Sequence, residues 1–180
     1  MNVAALASGL ALGVAIVGAV CDWRSGEIPN WLTLPPLLVA PLAYGLATGP
    51  EYATRSFAAA CLNVAIPYLL FRRGGMGGGD VKIFGAIGAV TGFDPFLGLE
   101  IQLAALCIAM LFALGALAWR GQLLRTLARA LAQLPRVLLR RSHRPRFPED
   151  LSAPIRMGVP ILIATGIHLV PPLLLAWGQV

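Results

Sequence analysis

Apolar stretches close to the roughly 20 residues that a helix needs to cross a bilayer recur along this chain, and short intervals between them hold most of its charge. That pattern excludes an ordinary soluble domain, because 58% of the residues are hydrophobic and only 12% charged, against about 25% charged in an average soluble protein. At about 20 residues per span plus connections, about six transmembrane helices nearly exhaust 180 residues. The expected architecture is therefore an all-α polytopic membrane helix bundle, a single membrane-embedded domain over 1–180.

The spans are read at 3–21, 31–48, 57–71, from Val81 onward, 96–119 and 155–177. The stretch from Asn2 to Val20 lacks the basic start of a secretory signal and is taken as a retained first span. Pro35 and Pro36 lie one turn into the second span and are expected to kink it, which neighbouring helices can absorb. Gly85, Ala86, Gly88, Ala89 and Gly92 give the fourth span a surface of small residues that lets other helices come close, so it is expected inside the bundle.

The interval 120–150 differs. Arg125, Arg129, Arg136 and Arg140 recur near helical spacing, with Leu123, Leu124, Leu127, Leu131, Leu134 and Leu138 on the other side. A basic amphipathic segment of this kind lies in the headgroup layer, against a bilayer with anionic headgroups. No set of stacking aromatics is interleaved with Arg140, Arg141, Arg144 and Arg146, so nucleic acid is set aside as a partner. Alternating the connections places thirteen of the fourteen basic residues on one side, with only Arg55 opposite. By the positive-inside rule that side is the cytoplasm and both termini lie outside.

Cys21, Cys61 and Cys107 are far apart with no CxxC pair, so buried free thiols are expected rather than a disulfide framework or a zinc site. His143 is read as a solvated loop residue, and His168 as a partner to another helix. No metal or cofactor is expected.

The carboxylates carry more. Asp22 falls at the C-terminal end of the first span, where the helix dipole disfavours a negative charge; a salt bridge to Arg24 or solvation at the headgroups is the plain explanation. Asp80 fits the N-cap of the fourth span, accepting from the amides of Val81 or Lys82. Capping does not explain the glycines: five of the six residues before Asp80 are Gly, which permits positive φ and close approach of another backbone. A phosphate loop would require Lys and Ser or Thr after Gly79, where Asp80 and Val81 stand, and an acid aimed at phosphates repels them. Two aspartates from separate loops on one side of a small bundle suggest instead an aspartic protease, one carboxylate activating water and the other, protonated, polarising the carbonyl.

The motifs go further. Gly77, Gly78, Gly79 and Asp80 form GxGD, continued through Val81 to Gly88, and Asp22 is followed by Arg24 and by Ile28, Pro29 and Asn30. This strongly resembles the prepilin peptidases (type IV leader peptidases), the GxGD membrane aspartyl proteases. The resemblance covers most of the chain in layout, with its motifs at 22–32 and 77–92 and a weaker echo in Gly158, Val159 and Pro160. It implies Asp22 and Asp80 as the catalytic pair, with Gly77, Gly79, Lys82, Pro29 and Asn30 shaping the loop or holding substrate.

Larger members carry a cysteine-rich zinc-binding insertion after the first span and also methylate the new N-terminus. Here only about ten residues separate spans one and two, so the resemblance is to the short, peptidase-only form of Tad or Flp pilus systems. That implies prepilin or pseudopilin substrates, cleaved at the cytoplasmic face of a bacterial inner membrane for pilus assembly or secretion. Without the resemblance, Pro29 and Asn30 read as a break and a helix cap, and Lys82 as a snorkelling lysine. Two other classes compete: a small proton- or cation-coupled transporter component, which expects carboxylates near mid-membrane rather than at span ends, and an inactive scaffold of a secretion complex, which would not need both acids.

Overall fold

The computed structural model describes residues 3–121 and 156–177, and every regular element among them is a helix. They are α1 (Val3–Ser25), α2 (Asn30–Ala47), α3 (Pro50–Arg72), α4 (Gly78–Val90), α5 (Leu97–Trp119) and α6 (Gly158–Trp177). The chain divides into two compact units, one of residues 1–108 with 156–180 and one of residues 109–155. Everything that bears on the site lies in the first. Of the second, the described part is the later half of α5 and a turn at Arg120 and Gly121; the basic amphipathic segment expected at 120–150 lies almost wholly outside the described residues.

The all-helical membrane class stands, though among the described residues length and composition alone mark about four spans rather than about six. Four of the helices are long and apolar enough to cross a membrane: α1, α3, α5 and α6. The two that fall short are α2, with 18 residues and Pro35, Pro36 and Pro41 inside it, and α4, with 13 residues. At 1.5 Å per residue α4 is about 20 Å long, short of the roughly 30 Å hydrocarbon core.

Local chemistry sets the turns. Gly26 takes φ +71 and its N–H returns to the Asp22 carbonyl at 3.0 Å, ending α1 with a left-handed residue that only glycine adopts without strain. Pro29 then sits in extended backbone at φ −72 and ψ 147 and caps α2. Pro50, the first residue of α3, follows Gly49 at φ +113; its missing N–H costs nothing there. Glu51 in the same turn pairs with Arg55 at 2.5 Å, one helical turn on.

The centre of the first unit is α4, which packs on α3 and α2 and also on α1, while α1 packs along α6. Ile83, Phe84, Ala86, Ile87 and Ala89 are fully buried, as expected for a helix apolar on all sides. Its small residues are matched to α3 in antiparallel register: a Cβ added at Gly85 would stand 2.7 Å from Val64 Cγ2, and one at Gly88 only 2.8 Å from the Ala59 carbonyl oxygen.

The last carbonyls of α4 are satisfied inside the protein, which is why so short a helix is tolerated. Tyr44 Oη of α2 donates to the Val90 carbonyl at 2.7 Å, Ser56 Oγ of α3 to Ala89 at 2.6 Å, and Thr91 Oγ1 to Ile87 at 2.9 Å. Such groups have no water to turn to in a membrane interior, so side chains from two neighbouring helices take its place. Beside them Asn63 Nδ2 donates to Ala59 at 2.9 Å, and Gln102 Nε2 of α5 to the Asn63 carbonyl at 2.9 Å.

Other expectations change in detail. The three cysteines are free, but Cys61 and Cys107 lie on the outer surface of their helices and Cys21 is half-buried, because apolar helices facing lipid need not hide a thiol. His168 Nδ1 pairs with the Ala164 carbonyl one turn back on α6, at 2.9 Å, rather than with another helix. His143 lies outside the described residues.

Candidate active site

Asp22 and Asp80 come together because of how α1 and α4 pack. The contact that sets their register is Gly18 of α1 against Ile83 of α4, a position where a Cβ would collide with the Ile83 side chain. Three residues back from Ile83 along α4 is Asp80, and four residues on from Gly18 along α1 is Asp22. Residues three or four apart share a helix face. In this antiparallel pair both carboxylates therefore lie one turn from the same contact, on facing surfaces and at the same end. Both are buried, at 7% and 9% exposure, a costly state for carboxylates in any protein.

Each acid is held through one oxygen by a backbone N–H of a glycine. Gly77 donates to Asp80 Oδ2 at 3.3 Å, and Gly158, the first residue of α6, donates to Asp22 Oδ2 at 2.9 Å. The expected Asp22 to Arg24 salt bridge is absent among the described residues, where the one ion pair is Glu51 with Arg55. Asp80 is not the N-cap either. The helix starts at Gly78, three residues before the expected Val81, so Gly77 is the cap and Asp80 occupies the third helical position, reaching back to the cap N–H.

Asp80, in the first turn of α4 and outside the four spans, is pushed up from the ordinary carboxylate range to about 6. Burial is the larger cause and repulsion from Asp22 the second, opposed by the Gly77 hydrogen bond.

The other residues singled out by sequence surround this pair. Gly79 packs on the loop between α1 and α2: a Cβ there would lie 3.1 Å from Ile28 Cβ and 3.4 Å from its backbone nitrogen. The glycine run thus does admit a close backbone, and that backbone is the chain's own. Of the run 74–79, only Gly74 has positive φ. Pro29 caps α2, so the cap role expected of Asn30 is taken by its neighbour; the Asn30 side chain instead accepts from Lys82 Nζ at 2.7 Å, joining the start of α2 to α4. Among the described residues, no group of three or more His, Cys, Asp or Glu is placed to hold a metal ion.

Sequence reasoning missed two contributors, Gly158 as the partner of Asp22 and Arg156, whose Nη1 donates to the Trp23 carbonyl at 2.6 Å. The available signals were that an acid at a helix C-terminus needs a donor and the weaker motif echo at Gly158, Val159 and Pro160. Nothing local could say that it comes from a residue 136 positions away.

Two buried, mutually repelling carboxylates are equipped for acid and base chemistry on one substrate. Residues 9–119 match the type IV leader peptidase family, from the second turn of α1 to the end of α5 and across both aspartates. The chain belongs to the type IV leader peptidase family. No curated protein and no solved structure gives a significant match. Membership in the type IV leader peptidase family makes this an integral membrane protein of protease type and gives a context for the site, since α1 and α4, which the match includes, are the helices that bring the two acids level.

Proposed function

We propose that this chain is an aspartyl endopeptidase that removes the leader peptide of prepilins or pseudopilins, with Asp22 and Asp80 as its catalytic pair. The observation that carries the reading is the pairing itself: two buried acids, level across α1 and α4, with Asp80 holding its proton to about pH 6. Asp80 is then the acid, and Asp22 the base. Asp22 takes a proton from water as the water oxygen attacks the scissile carbonyl carbon, while Asp80 gives its proton to the carbonyl oxygen. In the collapse of the tetrahedral intermediate Asp22 passes the proton it took from water to the leaving nitrogen as the C–N bond breaks, and a hydroxyl proton of the intermediate returns to Asp80. Gly77 fixes Asp80 and Gly79 lets the 26–29 loop lie against α4. The Lys82 to Asn30 link and Pro29 shape the rim where an extended peptide would enter.

The membrane setting is part of the same proposal. The site faces the cytoplasm of a bacterial inner membrane, both termini lie outside, and the enzyme is the short peptidase-only kind serving Tad-type or related pilus and secretion systems. Single-cysteine variants in a cysteine-free background check the orientation: Ser25→Cys should react with an impermeant reagent only from the cytoplasmic side, and Thr48→Cys only from the other. Reaction of Ser25→Cys from outside alone would place the acids where an uncleaved substrate is not presented. The enzyme is further proposed to cleave without methylating, since 26–29 leaves no room for an insertion between α1 and α2. Transfer of labelled methyl from S-adenosylmethionine to the product would contradict that.

Incubating the purified protein in detergent with candidate prepilins tests the whole reading. A product shortened at its N-terminus supports it. Proton or cation flux in liposomes with no shortened product would favour a transporter, and neither result a scaffold.

A further inference from the structure

The segment Arg156 to Gly158 closes over the end of α1, and it does so through polar groups the proposed chemistry does not yet use. At this end α1 exposes unpaired carbonyls and the negative pole of its dipole, an unfavourable place for Asp22. Arg156 answers the first by donating to the Trp23 carbonyl at 2.6 Å. The start of α6 answers the second, since the positive pole of a 20-residue helix meets the carboxylate through the Gly158 N–H at 2.9 Å.

The approach is as close as a glycine permits. A Cβ at 158 would stand 2.8 Å from Asp22 Cβ and 2.9 Å from Ala19 Cα, both atoms tied to the backbone of α1, so α6 would have to withdraw. Gly166, farther along α6, has nothing within 4 Å of its Cβ position.

We infer that Gly158 is a positioning residue of the peptidase site: its backbone N–H pins one oxygen of Asp22, leaving the other directed to the water and to Asp80, with Arg156 holding the start of α6 in place. Among the described residues the oxygen that Gly158 holds is Oδ2, which leaves Oδ1 for the chemistry in this proposal. This goes beyond the catalytic pair, rests on the peptidase reading, and assigns a role to a helix outside the 9–119 family match.

Steady-state cleavage of a prepilin by the wild type and four purified variants tests it. Gly158→Ala should lower kcat about 100-fold, the cost of misplacing a reacting group by about 1 Å, with KM within about twofold of wild type. Gly166→Ala, the same change on the same helix, should cleave like wild type. Arg156→Gln, a surface change, should lower kcat several-fold at unchanged KM, and Arg156→Lys should recover part of that.

Normal kcat in Gly158→Ala, or an equal loss in Gly166→Ala, overturns the inference. If Gly158→Ala does not insert, Arg156→Gln decides: unchanged kcat overturns it. Hydrogen exchange on the wild-type chain and on Asp22→Leu supplies a readout independent of cleavage. The Gly158 amide, at a helix start where amides ordinarily exchange fast, should be protected in wild type and lose protection in Asp22→Leu; equal exchange in both overturns the inference. Wild type that shows this protection but cleaves no prepilin would remove the peptidase reading and leave the contact standing.

Discussion

Asp22→Asn and Asp80→Asn should each lower prepilin cleavage by roughly 10³-fold or more, the upper part of the range for general acid and base groups, while the protein remains inserted and abundant. The structural hydrogen bonds survive the change, because an Asn carbonyl oxygen still accepts from Gly158 at position 22 and from Gly77 at position 80. Only the exchangeable proton and the charge are lost. The contrary view, that Asp80 only holds the start of α4 by accepting from the Gly77 N–H, expects little effect, since an Asn side-chain oxygen at the third helical position accepts from that N–H as well. Near-normal cleavage by either variant would remove that residue from the mechanism. The outcome is read as product formed per inserted enzyme, so a variant that fails to accumulate cannot imitate an inactive one.

The second large effect is on pH. Activity requires one carboxyl protonated and the other ionised, so the profile should be a bell. Asp80 sits at about 6, and above that value the dyad loses its acid. The raised value means the protonated form persists at higher pH than in a free Asp. With its proton held to about 6, roughly a tenth of the dyads still carry it at pH 7. Cleavage under single-turnover conditions should therefore fall towards tenfold per pH unit on the alkaline side of 6, and fall again at low pH when both groups are protonated. A flat profile across this range, with the enzyme still folded, would contradict a shared-proton mechanism.

Much of this was legible because the deciding signals are local. The turns at Gly26 and at Gly49 with Pro50 stand in the sequence, although α1 runs on to Ser25 rather than 21 and α3 starts at Pro50 rather than 57, and the two acids stand in short motifs where chemistry and spacing are adjacent. The small residues of α4 announce a helix surrounded by others. What was not legible depends on distant partners. Gly78 and Gly79 look like loop because glycine is a poor helix former, yet close packing on Phe71 and Ile28 makes them the first turn of α4. The shortness of α4 rests on Tyr44 and Ser56, which receive its last carbonyls from other helices. Asn30 is a good cap by composition, but Pro29 already supplies the extended backbone and Lys82 claims the side chain. Cysteine placement failed for a different reason: hydrophobicity marks the interior of a soluble protein, whereas in a membrane bundle it also marks the surface facing lipid.

The most direct measurement of the pairing is a pH titration of the protonated carboxyl band by infrared difference spectroscopy on the purified protein in lipid. Wild type should show a carboxyl titrating near 6 that disappears in Asp80→Asn. In Asp22→Asn the same band should persist but titrate at lower pH, because repulsion from Asp22 is gone while the larger contribution of burial remains. An Asp80 band in the ordinary carboxylate range, or one indifferent to Asp22→Asn, would show that the two acids do not act as a pair.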